Sequence, residues 1–257
     1  MTTEGAPRVA RDGDTVRLTM SRGRKRNALS REHLTQLLAA VTAAGESDAT
    51  GIVLAGEGPV FSAGHDFADV ADRPVVEVRS LLALCTELME TLQAVPQVVI
   101  ARVHALATAA GCQLVASCDL AVAAESAGFA APGGKGGWFC HTPMVAIARN
   151  VGRKRAMELA LTGDVIDART ALEWGLVNRV VPDQELDAAV DELLGRATRG
   201  SRASKAWGKQ TMYAQLDRPE RDAYATAVEV MASASQIAGA VEGMSSFLEK
   251  RPPVWPD

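Results

Sequence analysis

Residues 98–124, VVIARVHALATAAGCQLVASCDLAVAA, decide the fold of this chain. The β-branched run at 98–103 predicts a buried strand, and a second apolar run at 120–124 predicts another. Between them, the small residues of 107–117 are typical of a turn that leads into a helix beginning near Ala109. A strand, a helix and a second strand in this order indicate a crossover unit of a parallel sheet.

The same alternation continues toward the N-terminus. Strands are predicted at 16–20 and 51–55, and helices at 31–44 and 75–94, with Ser30 as the N-cap of the first helix. After Pro143 the pattern becomes mostly helical, with one strand at 177–181. The helices predicted there span 144–151, 153–161, 168–174, 184–199, 201–213, 218–233 and 235–250. We therefore predict an α/β fold whose C-terminal third is helical and packs on the α/β part or on a neighbouring subunit.

Composition excludes several broad classes of protein. The 257 residues carry a formal net charge of −4, and 47% of them are hydrophobic. A mildly acidic chain lacks the basic face that nucleic acids require, and its apolar content excludes disorder as the main state. No stretch reaches the roughly 18 to 20 uncharged apolar residues of a membrane span. Residues 1–15 contain no apolar run typical of a targeting signal, so we expect a cytoplasmic protein that binds neither nucleic acid nor membrane.

The cysteines predict no cofactor chemistry. Cys85, Cys112, Cys118 and Cys140 lie in apolar segments without the spacing of metal ligands. This placement favours reduced thiols in the core over disulfides or zinc. Neither a metal, a nicotinamide nor a flavin is implied, because no dinucleotide fingerprint is present either.

Two turns rich in small residues carry the first functional signal. They are FSAGHDF at 61–67, soon after the strand at 51–55, and ALATAAGCQL at 105–114, directly after the strand at 98–103. Small residues let a ligand approach the main chain, and a helix that starts near Ala109 would direct its free amides at that ligand. Two such donors on one carbonyl oxygen would form an oxyanion hole, although turns of this kind are also common for purely structural reasons.

These turns, with several other motifs in the same order, resemble the crotonase superfamily of enoyl-CoA hydratases and isomerases. The matching segments are 27–30, 61–66, 110–114, 117–123, 161–163, 171–177 and 247–251. Residues 105–123 and 250–255 resemble one branch of that superfamily. The resemblance implies a crotonase-like spiral core of (ββα) repeats over residues 1–195, which contains an acyl-CoA cleft. It also implies a helical trimerisation region over 196–257.

The resemblance also implies roles for individual residues. The amides of His65 and Ala110 would hold the thioester carbonyl, and alanine at 110 keeps the N–H where the family usually has glycine. The other residues expected at the substrate or its coenzyme A are Arg24, Lys25, Ala28, Ala63, Gly64, Asp66, Gly111, Trp138, Phe247 and Lys250. Coenzyme A would be part of the substrate and not a cofactor. Phe247 and Lys250 match family positions that contact the nucleotide end of a coenzyme A molecule bound mainly by an adjacent subunit. The resemblance therefore implies a homotrimer or a dimer of trimers.

The chain departs from the family at its acid/base residues. The two glutamates that activate water in family hydratases fall at Gln113 and Gly133. An amide cannot exchange a proton as a carboxylate does, and glycine has no side chain. His141 is a candidate replacement, because histidine titrates near neutral pH. Cys112 and Cys140 are weaker candidates as nucleophiles.

Three interpretations of function remain open from the sequence. The leading one is an acyl-CoA enzyme of the hydratase/isomerase family that stabilises an enolate or oxyanion and has altered hydratase activity. The second is a non-catalytic acyl-CoA-binding or assembly protein of the same fold. The third is a hydratase in which Gln113 holds the water and His141 moves the proton.

Overall fold

The computed structural model describes residues 5–256, which form nine strands and ten helices. The strands are β1 (Arg8–Asp12), β2 (Thr15–Met20), β3 (Gly51–Gly56), β4 (Val98–Val103), β5 (Ala107–Thr108), β6 (Leu120–Ala124), β7 (Gly128–Ala130), β8 (Ile166–Asp167) and β9 (Arg179–Val181). The helices are α1 (Arg31–Gly45), α2 (Val75–Ala94), α3 (Ala110–Ser117), α4 (His141–Val151), α5 (Arg153–Thr162), α6 (Ala168–Trp174), α7 (Leu186–Thr198), α8 (Arg202–Gln215), α9 (Glu220–Ala234) and α10 (Ala238–Glu249). Every predicted strand and helix is present, in the predicted order.

Six strands form the main sheet, in the order β1-β2-β3-β4-β6-β9. All neighbouring strands run parallel except the β1–β2 hairpin. Because β3 and β4 are parallel neighbours, their carboxyl ends meet at the same edge of the sheet. The two small-residue turns follow these two strands, so the topology brings them together.

A second sheet of three very short strands, β5-β7-β8, holds the turn that follows β4. Ala107 pairs with Phe129 in this sheet and also forms an isolated bridge with Ser62. The sequence analysis missed all three strands, because two or three residues are too few to show a periodic pattern. It also missed β1, whose five residues are all exposed and show no apolar alternation.

Apolar side chains cover both faces of the main sheet, as expected for parallel strands. On one face, the side chains of Ile52 and Val99 belong to the large core that also receives α1, α2 and α3. On the other face, Val53 and its neighbours pack against α7. The predicted domain boundary at 195/196 therefore falls inside a helix that belongs to the sheet. The C-terminal helices begin after it, with α8.

Within residues 5–256, none of the helices combines the length and the apolar composition that crossing a bilayer requires. All four cysteines are buried, as the sequence predicted.

Candidate active site

The two small-residue turns are in direct contact at the edge of the main sheet. A Cβ atom built on Gly64 would lie 3.0 Å from the Thr108 carbonyl oxygen and 3.1 Å from the Ala110 nitrogen. The Gly64 φ of +81° is also one that favours glycine. In addition, the Thr108 amide donates to the Ser62 carbonyl at 2.9 Å. Glycine at position 64 is what lets the two turns approach this closely.

Two main-chain amides are left free where the turns meet. In the described part of the chain, neither the His65 N–H nor the Ala110 N–H has a hydrogen-bond acceptor. Ala110 is the first residue of α3, so its amide is one of those that a helix cannot satisfy internally and lies at the positive end of the helix dipole. Ala109 just before it has a φ of +49°, which is rare for a residue with a side chain. Two free donors placed in this way can bind one oxygen atom.

A buried asparagine fixes the first of these turns. The Asn27 side chain donates to the carbonyls of Glu57, Val60 and Phe61 at 2.9 to 3.1 Å. The Ser62 hydroxyl in turn donates to the Asn27 carbonyl at 2.9 Å. These hydrogen bonds fix the turn without using the amides of His65 and Ala110, which stay free to bind a ligand.

Hydrogen bonds on either side of His65 also hold the turn. The Leu29 amide donates to the Gly64 carbonyl at 2.8 Å. The Asp66 carboxylate accepts from the Ala68 amide at 3.1 Å and caps the short helical turn Phe67–Asp69. Asp66, which was expected at the substrate, does not line the cavity and instead stabilises the turn through this main-chain donor.

An apolar cavity of about 440 Å³ opens at the two amides, within the range of small-molecule sites. Its lining includes Ala63, His65, Ala110, Gly133, Trp138 and His141, all of which the sequence predicted. The lining also includes Phe67, Leu82 and Pro143, which the sequence analysis did not assign to the site. Phe67 is the last residue of the first turn and could have been found from that position. Leu82 could not, because it comes from α2 and reaches the cavity only through helix packing.

His65 lines the cavity, but the nitrogens of its imidazole are buried. Both of its ring nitrogens are inaccessible to solvent, and neither has a hydrogen-bond partner among residues 5–256. Burial lowers the pKa of His65, while the Leu29 carbonyl and the Asp69 carboxylate oppose that shift. The Trp138 ring lies 6.2 Å from the imidazole, centroid to centroid. The His65 side chain is therefore a neutral, buried ring at pH 7.

The other titratable groups at the cavity are placed differently. His141, the predicted acid/base, is exposed at the first residue of α4, and its ring lies 5.0 Å from that of Phe139. Burial raises the pKa of the Cys140 thiol, and it raises that of Cys112 to about 12. Neither thiol is therefore activated as a nucleophile. Lys135 forms an exposed ion pair with Asp164 at 3.1 Å.

Gly133 and Gln113, which occupy the positions of the family's two glutamates according to the resemblance, lie differently with respect to the cavity. Gly133 lies in the wall, where a Cβ atom would come within 2.7 Å of the Cys140 sulfur. Gln113 does not line the cavity. It lies one turn beyond Ala110 in α3, a helix whose eight residues are all buried, and its Oε1 has no partner in the described structure. The expectation that Gln113 faces the substrate therefore finds no support in this geometry.

The residues expected at coenzyme A lie outside the apolar cavity. Arg24, Lys25 and Arg26 are exposed and form no ion pair within the described residues. Ala28 follows them and donates its amide to the Lys25 carbonyl at 3.0 Å. The Arg26 carbonyl accepts from the amide of Ala63, a residue of the first turn, at 3.0 Å. The basic segment is thus attached directly to the turn that carries His65.

The remaining predicted residues lie in two other places. Gly111 packs against the first turn, where a Cβ atom built on it would lie 2.7 Å from the Ser62 Cβ. Gly111 therefore supports the site without lining the cavity. Phe247 and Lys250, at the end of α10, are exposed and do not line the cavity. In the part of the chain that the structure describes, no group of three or more His, Cys, Asp or Glu side chains could hold a metal ion.

The similarity of this chain to known proteins identifies its family. The model of the enoyl-CoA hydratase/isomerase family matches residues 12–257. The chain belongs to this family. Its fold is accordingly the crotonase fold, as the order of motifs predicted.

Individual relatives support both the family and the branch. The mouse protein "Enoyl-CoA hydratase domain-containing protein 3, mitochondrial" is 40% identical over 98% of this chain and 86% of its own length. The crystal structure of an enoyl-CoA hydratase from Mycobacterium smegmatis has a TM-score of 0.95 and 43% identity, covering 99% of this chain and 100% of the other. That of human enoyl-CoA hydratase domain-containing protein 3 has a TM-score of 0.93 and 38% identity, covering 97% and 100%. The predicted resemblance to one branch of the family is confirmed. The relatives in this branch are the enoyl-CoA hydratase domain-containing proteins 3.

The same comparison corrects the expected location. We expected a cytoplasmic protein because residues 1–15 show no targeting pattern. The mouse and human relatives of this branch are both named as mitochondrial proteins, so that expectation is wrong. The absence of a pattern in a short segment was too weak an observation to assign a compartment.

Proposed function

We propose that this family member binds acyl-CoA thioesters and stabilises the negative oxygen of an enolate or tetrahedral intermediate. The amides of His65 and Ala110 are the donors. The observation that carries the proposal is that two unpaired main-chain amides lie together at the mouth of an apolar cavity. Each donor of an oxyanion hole is worth about 2.7 to 4 kcal/mol of transition-state stabilisation.

The surroundings of the amides suit the two ends of an acyl-CoA molecule. Phe67, Leu82 and Trp138 offer apolar walls to an acyl chain. The exposed cations Arg24 and Lys25 lie on the segment attached to the first turn and suit the phosphates of coenzyme A. Coenzyme A therefore enters this proposal as part of the substrate.

Hydration of enoyl-CoA by a pair of carboxylates is not part of the proposal. Gly133 offers no side chain, Gln113 is buried away from the cavity, and none of the described cavity residues is an aspartate or glutamate. A positioned acid or base is typically worth about 10² to 10⁴ in rate. We therefore expect weak hydration of crotonyl-CoA and a reaction that depends on the amides.

Calorimetric titration with two matched ligands tests the proposal. Butyryl-CoA has a thioester carbonyl, whereas the thioether S-butyl-CoA lacks this oxygen. Two hydrogen bonds to the carbonyl, at about 0.5 to 1.5 kcal/mol each, predict roughly 5- to 150-fold tighter binding of the thioester. Equal affinity for the two ligands would contradict the oxyanion hole. The absence of binding heat with both would contradict acyl-CoA binding itself.

A glycine variant links this preference to the structure. In Gly64→Ala the new methyl group would press on the Thr108 carbonyl and the Ala110 nitrogen and separate the turns. We expect the preference for the thioester to disappear. Gly13→Ala is the matched control, since Gly13 also has a positive φ, +55°, but has no atom within 4 Å of its Cβ position. This control separates the effect of the contact from that of backbone strain.

A further inference from the structure

We infer that the acyl group of the substrate is an uncharged aliphatic chain of medium length, and that Leu82 on α2 limits this length. This inference rests on the proposed function, because the thioester carbonyl at the amides of His65 and Ala110 fixes where the chain begins. It names the class of acyl-CoA that the site takes, which the two amides alone leave open.

The first observation is that the basic segment and the apolar cavity border two separate spaces. Arg24, Lys25 and Arg26 line a groove that shares no residue with the cavity. The first turn lies between the two, since the Arg26 carbonyl accepts from the amide of Ala63, which lines the cavity. Phosphates of coenzyme A bound in the basic groove leave the apolar cavity to the other end of the thioester, which is the acyl chain.

The second observation is the size of the cavity. A methylene group is about the size of a water molecule, which occupies about 30 Å³, so a cavity of about 440 Å³ has room for roughly fourteen such groups. The thioester and the first pantetheine atoms take a few of these places and leave roughly eight to ten for carbons of the chain. A butyryl group would leave most of the apolar wall in contact with water.

The third observation is the chemistry of the wall. Among the described residues that line the cavity, none is an aspartate or glutamate, and the only lysine or arginine is Lys135. Lys135 is exposed, and its ammonium is paired with Asp164 at 3.1 Å. A carboxylate at the end of the chain would lose its hydration in this cavity without gaining a free partner. The wall therefore favours an uncharged chain.

The fourth observation is the apolar surface that the cavity leaves in water. Phe67 and Trp138 are both exposed, and their rings make an edge contact at 6.2 Å between centroids. A chain that lies along this aromatic pair removes apolar surface from water. Leu82 is half-buried and is the residue that α2 contributes to the wall, so the size of its side chain sets how much room is left for the chain.

Calorimetric titration with a series of saturated thioesters, from butyryl-CoA to tetradecanoyl-CoA in steps of two carbons, tests the length. A fully buried methylene tightens binding about fourfold, so we expect about two- to fourfold per methylene beside these partly exposed walls. The gain should continue to decanoyl-CoA, which should bind at least about 50-fold more tightly than butyryl-CoA, and should level off by dodecanoyl-CoA.

A second pair of ligands tests the charge. Octanoyl-CoA and the mono-thioester of octanedioic acid have chains of equal length, but the second ends in a carboxylate. We expect the charged ligand to bind at least about tenfold more weakly.

Variants of neighbouring residues on α2 link the length to the structure. Leu82→Trp takes the room of about two methylenes, so it should weaken decanoyl-CoA about tenfold and leave butyryl-CoA within about threefold. Ala83→Trp is the matched control, because Ala83 is exposed and does not line the cavity. It should leave the whole series unchanged. Leu82→Ala, which enlarges the cavity without adding bulk, should move the levelling to a longer chain.

Several results would overturn the inference. A protein that prefers butyryl-CoA to S-butyl-CoA but gains no affinity for longer chains would overturn it and leave the proposed function standing. Equal affinity for octanoyl-CoA and its charged counterpart would contradict the uncharged class. An unchanged series in both Leu82→Trp and Leu82→Ala would contradict the role of Leu82. A protein that binds none of the thioesters would overturn the proposed function and this inference together.

Discussion

At the scale of single residues, Gly133 lies where the family resemblance places a glutamate, and the loop around it leaves no room for a side chain. The loop from 133 to 140 folds back onto the glycine, so the Trp138 amide donates to the Gly133 carbonyl at 2.8 Å. A Cβ atom at 133 would meet the Trp138 carbonyl oxygen and lie 2.7 Å from the Cys140 sulfur. No side chain fits there without movement of the loop. Restoring a glutamate at this one position should therefore not restore hydration.

The stability of glycine variants tests this account of the loop. We expect Gly133→Ala to lower the free energy of unfolding by about 1 to 3 kcal/mol, as overpacking does. Gly136→Ala, in the same loop, has only ordinary contacts at 3.7 Å and should stay within about 0.5 kcal/mol of the original protein. Urea denaturation measures both. Equal stability of the two variants would contradict this account, because it would show that the loop moves to accommodate a side chain at position 133 at little cost in free energy.

At the scale of elements, a buried ion pair docks α8 onto the main sheet. The Lys209 ammonium lies 2.8 Å from the Asp119 carboxylate and donates to the carbonyls of Leu92 and Gln97, also at 2.8 Å. The Tyr213 hydroxyl donates to the same carboxylate at 2.9 Å. Burial raises the pKa of Asp119 and lowers that of Lys209, while each group opposes the shift of the other. One lysine thus joins the C-terminal helices to α2, β4 and the start of β6.

Removing this lysine should cost far more than removing an exposed cation. The side chains of Lys209 and Asp119 are only 9% and 15% exposed, so Lys209→Met leaves a buried carboxylate without its counter-charge. We expect a loss of about 3 to 5 kcal/mol in the free energy of unfolding. Arg196→Met breaks an exposed pair with Glu192 and should cost about 0.5 kcal/mol. Similar losses in the two variants, measured by guanidinium denaturation, would contradict the docking role of Lys209.

At the scale of the whole molecule, the C-terminal helices present an apolar surface that the single chain leaves uncovered. Tyr224, Val228 and Met231 follow one another at helical spacing on α9, and all three are exposed. Phe247 and Leu248 on α10 are also exposed, Phe247 to 82%. Large exposed apolar surfaces mark protein contacts. We propose that subunits meet here, in a homotrimer or a dimer of trimers.

Charge placed on this surface should separate the subunits. We expect the original protein to sediment with three or six times the 27.1 kDa mass of the chain. The double variant Met231→Asp/Phe247→Asp should sediment as a smaller species, because association would bury two carboxylates without partners. Val9→Asp changes an exposed residue of β1 and should keep the assembly. An original protein that sediments as a monomer would rule the assembly out.

The sequence by itself determined the order of the main-sheet strands and helices, the two turns and the family. Each of these is local: the period of apolar residues along a strand or helix, or a run of small residues after a strand. It also identified six residues of the cavity wall. Three of them, Ala63, His65 and Ala110, lie on turns that follow neighbouring parallel strands. The other three, Gly133, Trp138 and His141, were found from their positions relative to the family's motifs.

Only the tertiary structure decided the chemistry of the site. It placed Gln113 away from the cavity, brought Leu82 into it and left the His65 ring without a partner. It also paired Asp119 with Lys209, ninety residues away in the sequence. The physical reason is the same in each case. Burial and pairing depend on which distant segments pack together, and the periodicity of one segment carries no record of its neighbours in space.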